Sequence, residues 1–258
     1  MKGRYLLGLL AAFALSFASY NTATDKMGVF DPSVLQIDQE MYLGKKLGNY
    51  TVLTERGWKD IKTIIGNKPT ILQLAYYTCD ASCPILTQNL LRAVKDIDPK
   101  DFNVLILSFD RKDTIDTLKA FKKKLGNVPP NWTFGLLQED DIKKLTKEIG
   151  FKFFYSEKDR TFVHPNVLIF LSPEGKVMRY LFGTFPQTKD VKLALLDAQK
   201  ENPSVTNLLD LSLLVCYRYD PTRSRYVFDP FVIFPLAGIA LFTGVLALSF
   251  FYKKPKEV

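Results

Sequence analysis

Cys79, Cys83 and His164 are the residues here whose types suit a soft-metal or redox site, and His164 is the chain's one histidine. Cys79-Asp80-Ala81-Ser82-Cys83-Pro84 follows a strongly apolar run and precedes a stretch of helical period. A spacing of four brings two side chains to one face if the segment turns helically. The N–H groups and positive dipole end at a helix start favour thiolate over thiol. Pro84 fits the first turn, where its missing N–H would have gone unpaired. Thioredoxin-type redox catalysts use Cys-x-x-Cys, but three residues intervene here. The wider pair suits a soft ion: Cu(I) favours sulfur, and an imidazole nitrogen also admits Cu(II). Thiol–disulfide exchange stays open, with Cys79 attacking, Cys83 resolving and no need of His164. A structural disulfide or two buried thiols is the plain alternative, though a bridge closing so short a loop stabilises little.

His164 precedes Pro165 at the start of an apolar run, Val167 to Leu171. In thioredoxin-like folds a proline loop at this point faces the cysteine pair, which makes His164 the candidate third donor. Cys216, among aliphatic residues, reads as an inert buried thiol. A zinc site gathering Cys79, Cys83, His164 and Cys216 has the right ligand count, but requires the segment around Cys216 to fold over the pair.

These side chains need a scaffold, and the periodicity supplies one. Pro69 to Tyr77 reads as a buried strand, and Pro84 to about Ile97 as a helix with Leu86, Leu90, Leu91 and Val94 on one face. Phe102 to Phe109 is a second strand; Asp113 caps a helix to Leu125 that Gly126 ends. Thr133 to Leu137 is a third strand. Glu139-Asp140-Asp141 place negative charge on the first turn of a helix closed by Gly150. Val167–Leu171 and Val177–Phe182 flank the turn signal Ser172-Pro173-Glu174-Gly175, and Thr188 opens a last helix to about Glu201. The order β-α-β-α-β-α-β-β-α predicts an α/β fold, a thioredoxin-like three-layer sandwich. Lys122-Lys123-Lys124 reads as a solvated helix face, and Phe151, Phe153 and Phe154 as core and edge packing.

Both ends carry membrane signals. Met1-Lys2-Gly3-Arg4, the apolar run Leu6 to Leu15 and Ser16-Phe17-Ala18 have the layout of a signal peptide over 1–18. Residues 231–252 carry no charge, would rise about 33 Å as a helix, and are followed by Lys253, Lys254 and Lys256. That pattern predicts a C-terminal transmembrane helix with 253–258 as a cytoplasmic tail. Between them lie a lead-in (19–60), the thioredoxin-like domain (61–201) and a membrane-proximal connector (202–230). The body would then face an oxidising periplasmic or extracytoplasmic space, under pressure to join Cys79 and Cys83 as a disulfide. One histidine rules out motifs needing two. The excess of 35 Lys+Arg over 27 Asp+Glu is spread out, without the aromatic-interleaved stripe that single-stranded nucleic acid requires.

The sequence resembles the Sco/SenC family of membrane-tethered copper-delivery proteins for cytochrome c oxidase, in a bacterial subgroup with a C-terminal membrane helix. The likeness runs from about Gly48 to Tyr252. It rests on Ala75-Tyr76-Tyr77-Thr78 with the cysteine segment, on Leu107-Ser108-Phe109-Asp110 followed by Asp113-Thr114, and on His164 ahead of Pro173-Glu174-Gly175. Leu213 to Pro221 (LLVCYRYDP) extends it. The resemblance implies copper, as Cu(I) or Cu(II), on Cys79, Cys83 and His164. It also implies Asp110 as an outer-shell group, and oxidase subunit II as partner beside other copper-delivery or thiol–disulfide proteins. Arg111 stands where the family usually has proline.

Overall fold

The computed structural model describes residues 36–200, 217–220, 225–228 and part of 234–248. The expected signal segment, Cys216 and most of 231–252 lie outside the described residues.

Three strands with both faces covered form the centre: β3 (Thr70–Ala75), β4 (Asn103–Ser108) and β5 (Trp132–Leu136). All six residues of β3 are buried, as parallel strands covered on both sides require. β3 pairs in parallel with β4, and β4 with β5. A hairpin of β1 (Thr51–Thr54) and β2 (Gly57–Asp60) adds antiparallel to β5. On the other side, β8 (Val167–Leu171) runs antiparallel to β3, and β9 (Val177–Phe182) antiparallel to β8. The sheet order is β2-β1-β5-β4-β3-β8-β9.

The helices are α1 (Gln39–Tyr42), α2 (Ile61–Ile65), α3 (Ser82–Ala93), α4 (Ile115–Leu125), α5 (Glu139–Glu148) and α6 (Thr188–Gln199). From β3 to β4 to β5 the chain steps twice in one direction, so two right-handed crossovers put α3 and α4 on one face. α3 packs beside both α4 and α6. A mixed sheet with flanking helices, a parallel start and a terminal antiparallel hairpin is the expected thioredoxin-like arrangement.

Several boundaries and elements differ from expectation. α3 begins at Ser82 rather than Pro84, which places Cys83 inside its first turn. Thr114, not Asp113, caps α4: its hydroxyl accepts from Thr117 N–H, and the Thr117 hydroxyl accepts from Thr114 N–H. This frees the Asp113 carboxylate for a different task. Two hairpins were not foreseen. One joins β6 (Phe154–Ser156) to β7 (Thr161–Val163); the other, β10 (Tyr217–Asp220) with β11 (Arg225–Phe228), falls within the expected connector. Strands this short carry too few residues to show a period.

Among the described residues no helix is long and apolar enough to cross a membrane. The described positions from 234 to 248 are helical, and Phe234, Leu241, Phe242 and Leu248 among them are exposed.

Candidate metal centre

β3 points the chain at the site. Beyond Ala75, Tyr76 and Tyr77 remain buried, and the Tyr77 ring runs under the sheet, its hydroxyl 2.9 Å from the Ile106 carbonyl and 2.8 Å from that of Gly135. Tyr77 N–H donates to Asp113 Oδ2 at 2.7 Å, so the buried carboxylate at the head of α4 holds the backbone two residues before Cys79. Ser108 Oγ donates to the same oxygen at 2.5 Å, and Thr117 Oγ1 to Asp113 Oδ1 at 3.0 Å.

The loop then turns into α3. Its N-cap position is Ala81, at φ −118° and ψ −110°, with no side-chain oxygen to serve the first helical N–H groups. The Cys79 sulfur takes that part, accepting from Ala81 N–H at 3.4 Å. Cys83, one turn along, is fixed from beneath: its carbonyl accepts from Thr87 Oγ1 at 2.8 Å and from Gln73 Nε2 at 3.4 Å. Gln73 and Thr87 also bond each other, at 3.0 Å. A glutamine in the centre of β3 is thus satisfied by the helix that carries the thiol. Sequence reasoning missed both residues, because a lone polar side chain within an apolar strand gives no sign of its partner.

His164 arrives from the other side, straight after β7. Its Nε2 lies 3.5 Å from Cys83 Sγ, and its Nδ1 lies 3.1 Å from the Pro165 carbonyl. A carbonyl only accepts, so Nδ1 carries the proton and Nε2 presents its lone pair to the sulfur. Phe109, Tyr76 and Phe151 enclose the ring, with centroids at 5.1, 6.0 and 6.0 Å. Phe151 is therefore packing, as the sequence suggested, but packing against the histidine. The His164–Pro165 peptide is trans. Cys79, Cys83 and His164 are at most 8% exposed, so water has little access.

Asp110 lines a cavity of about 920 Å³ beside the cysteine loop, together with Thr78, Asp80 and Ala81. Its Oδ1 accepts from Lys112 N–H at 2.9 Å. Both described cysteines are free thiols. Lys124 pairs with Asp80 at 2.7 Å and Lys122 with Glu55, so two of the three lysines expected on a solvated face are ion-paired.

The electrostatics of the pair are uneven. The Cys83 thiol donates to Cys79, and Tyr76 O–H with the N–H groups of Ala81 and Cys83 adds to it, pulling the Cys79 thiol down to about 5 against the opposing effect of burial. Its hydrogen bond to Cys79, burial and repulsion from a Cys79 anion push Cys83 well above the ordinary thiol range. Burial lowers His164, which is neutral at pH 7. One proton is thus shared by two sulfurs. Two soft sulfurs, one of them anionic, and a neutral imidazole nitrogen 3.5 Å from the Cys83 sulfur fit a copper ion chemically. Among the described residues, no group of three or more His, Cys, Asp or Glu side chains already stands as a metal-holding cluster.

A pH signature follows. Two ordinary thiols would each surrender a proton to a soft ion at pH 7, but Cys79 is already ionised there. Binding of Cu(I) at pH 7 is expected to release about one proton, rising toward two as the pH falls through 5 and Cys79 becomes protonated beforehand. Indicator-dye titration in weak buffer measures this; two protons at pH 7 would contradict the uneven pair.

A family model described as SCO1/SenC matches residues 40–195. No curated protein matches the chain. Among solved structures, one from Aquifex aeolicus VF5, described as a candidate electron transfer protein, is 32% identical with a TM-score of 0.58, over 63% of this chain and 97% of its own. A second from that organism, described as a candidate electron transport protein, is 32% identical with a TM-score of 0.53, over 61% and 99%. Arabidopsis thaliana ScoI, solved with copper bound, is 20% identical with a TM-score of 0.46, over 55% and 89%. At that distance the last likeness carries no argument about this chain.

Proposed function

The chain belongs to the SCO1/SenC family, and from that premise we propose that it is a membrane-tethered copper chaperone. In this reading it binds one copper through Cys79, Cys83 and His164 and delivers it to the CuA site of cytochrome c oxidase subunit II. The observation that carries it is the His164 tautomer: Nδ1 is held by the Pro165 carbonyl, and Nε2 faces the Cys83 sulfur at 3.5 Å. With Nδ1 held by a carbonyl, Nε2 is the ring nitrogen that can meet an ion beside the Cys83 sulfur.

Each residue then has a distinct task. Cys79, ionised in advance, attracts the cation. Cys83 gives up its proton and becomes the central donor between Cys79 and His164. The neutral imidazole supplies a nitrogen without adding charge. The ring box of Tyr76, Phe109 and Phe151 keeps water from competing. An incoming thiolate on the partner can displace one donor at a time, so the ion passes without being released to solvent. Asp110, on the cavity wall, is the outer-shell group of this proposal.

The tether is supported by the uncharged run 231–252, by the lysines that follow it and by the exposed apolar side chains of its described positions. The leader-like 1–18 supports export of the body to the periplasmic side.

A second reading, thiol–disulfide exchange, is favoured by the uneven pair, because an ionised attacking thiol beside a protonated resolving one is what exchange needs. The pair would lose two electrons and its one proton to a target disulfide, forming the Cys79–Cys83 bridge, and solvent would supply the second proton of the target dithiol. His164→Ala separates the readings: it spares reduction of a model disulfide and weakens copper retention. Titrating the reduced chain with Cu(I) against a competing chelator is expected to saturate at one equivalent; no retention would remove the chaperone reading.

A further inference from the structure

Among residues 36–200, six large apolar side chains stand exposed: Met41, Trp58, Ile85, Phe154, Tyr155 and Phe185. Four of the six flank the metal centre. Ile85, 45% exposed, lies two residues past Cys83 on α3. One turn further along the same helix face, Asn89 Nδ2 donates to the Thr184 carbonyl at 2.8 Å. That bond brings the segment of Phe185, 71% exposed, beside α3. The same segment is tied to the histidine strand, because Gly183 N–H donates to the Asn166 carbonyl at 2.9 Å. Phe154 and Tyr155 belong to β6, whose partner β7 ends at Val163, next to His164. Tyr155 lines the cavity that also takes in Asp80 and Ala81 of the cysteine loop.

Exposed apolar side chains gathered around a concave site mark a surface that another molecule covers. Burial of the donors says why the cover must be close: Cys83 is almost wholly enclosed, so a receiving residue reaches it only from a body pressed against this rim. The charge pattern says what kind of body. Residues 81–91 and 183–188 carry no charge at all. Of the charged side chains lining the cavity, Asp80, Asp110, Glu139 and Glu157 are balanced by Arg111, Lys112, Lys143 and Arg160. Several are already committed, Glu139 to Arg111 and Lys143, and Asp80 to Lys124. A strongly charged partner would therefore gain nothing here, whereas an apolar one buries Ile85 and Phe185.

We propose that Ile85 and Phe185, with Tyr155 on the cavity side, form the docking rim for the protein that receives the metal, and that this protein presents an uncharged apolar collar around its own donor residues. The proposal rests on the delivery reading above, which it deepens. The rim holds no ion itself; it sets how closely and in what orientation the acceptor meets Cys83.

The test uses the whole chain loaded with one Cu(I), and the metal-free soluble domain of oxidase subunit II as acceptor. Ile85→Ser and Phe185→Ser change exposed positions and are expected to leave Cu(I) affinity as it is. Each is expected to raise the Kd for the acceptor about tenfold by calorimetry. Transfer slows to match at low acceptor concentration, with the rate at saturating acceptor unchanged. Trp58→Ser removes a comparably exposed ring from the edge strand β2, at the far side of the sheet, and is expected to change neither. Raising salt from about 0.05 M to about 0.5 M is expected to move Kd less than about threefold, since the contact needs no ion pairs. An unchanged Kd in both variants, an equal loss in Trp58→Ser or a steep salt dependence would overturn the docking rim while leaving delivery intact. A wild-type chain that does not bind the acceptor overturns the rim and the choice of acceptor together. Self-association of the wild-type chain that both variants abolish gives the rim to a second copy and also overturns it. If both variants weaken docking but no copper ever moves, the delivery reading fails and the rim stands.

Discussion

Cys83→Ser leaves the chain folded and weakens Cu(I) retention by more than about 100-fold, exceeding the 10–100-fold usual for loss of an outer partner. The sulfur of Cys83 bonds Cys79 and also faces His164. Its loss removes the donor common to both contacts, and a serine oxygen is a hard replacement that Cu(I) does not favour. Serine is close in shape, and the Cys83 carbonyl keeps its bonds from Thr87 and Gln73. The unfolding midpoint should therefore move little while the affinity collapses. His164→Ala is expected to differ in kind. Two thiolates alone still hold Cu(I), so the loss there is about tenfold, whereas Cu(II), which wants nitrogen, is lost. Chelator competition with each oxidation state measures both, and unchanged affinity in both variants would falsify the assignment of these ligands.

Asp113→Ala has the largest effect expected on stability, about 4 kcal/mol. Its carboxylate is the acceptor for Tyr77 N–H, the Ser108 hydroxyl and the Thr117 hydroxyl, and the first two donors are buried. A buried donor left without a partner costs about 1–3 kcal/mol; Tyr77 N–H is stranded outright, and the Ser108 hydroxyl keeps only a long 3.4 Å contact to the Asp110 carbonyl. For a domain of this size each kcal/mol lowers the midpoint by roughly 2–4 °C, so a fall of about 10 °C is expected by thermal melting. Asp113→Asn keeps an acceptor and should lose much less. Because Tyr77 lies two residues before Cys79, faster amide exchange at Tyr77 should accompany the loss. A midpoint within 2 °C of wild type would mean that other groups hold this end of β3.

The sequence shows the donors more clearly than what holds them. Cys79, Cys83 and His164 stand out by type and spacing, and β3, β4, β8 and β9 by runs of apolar or β-branched residues long enough to read. The turn at Ser172 to Gly175 is legible too, with Gly175 at φ +79° as its chemistry requires. Asp113 is harder. In sequence it resembles a helix cap, and only the fold brings Tyr77 and Ser108 to it. The box around His164 draws Tyr76, Phe109 and Phe151 from three separate segments, each indistinguishable from ordinary core on its own. β6 and β7, with three residues each, have no period to detect, although β7 carries Thr161 and leads into the histidine. Lys122 and Lys124 lie on a solvated face, where their partly or largely exposed ion pairs contribute little.

X-ray absorption of the copper-loaded chain addresses the central claim most directly, because it counts the atoms around the ion. Two sulfur neighbours and one imidazole nitrogen are expected in wild type, with one sulfur missing in Cys83→Ser and the imidazole signal missing in His164→Ala. A shell of oxygen and nitrogen only, or a sulfur count untouched by Cys83→Ser, would contradict it.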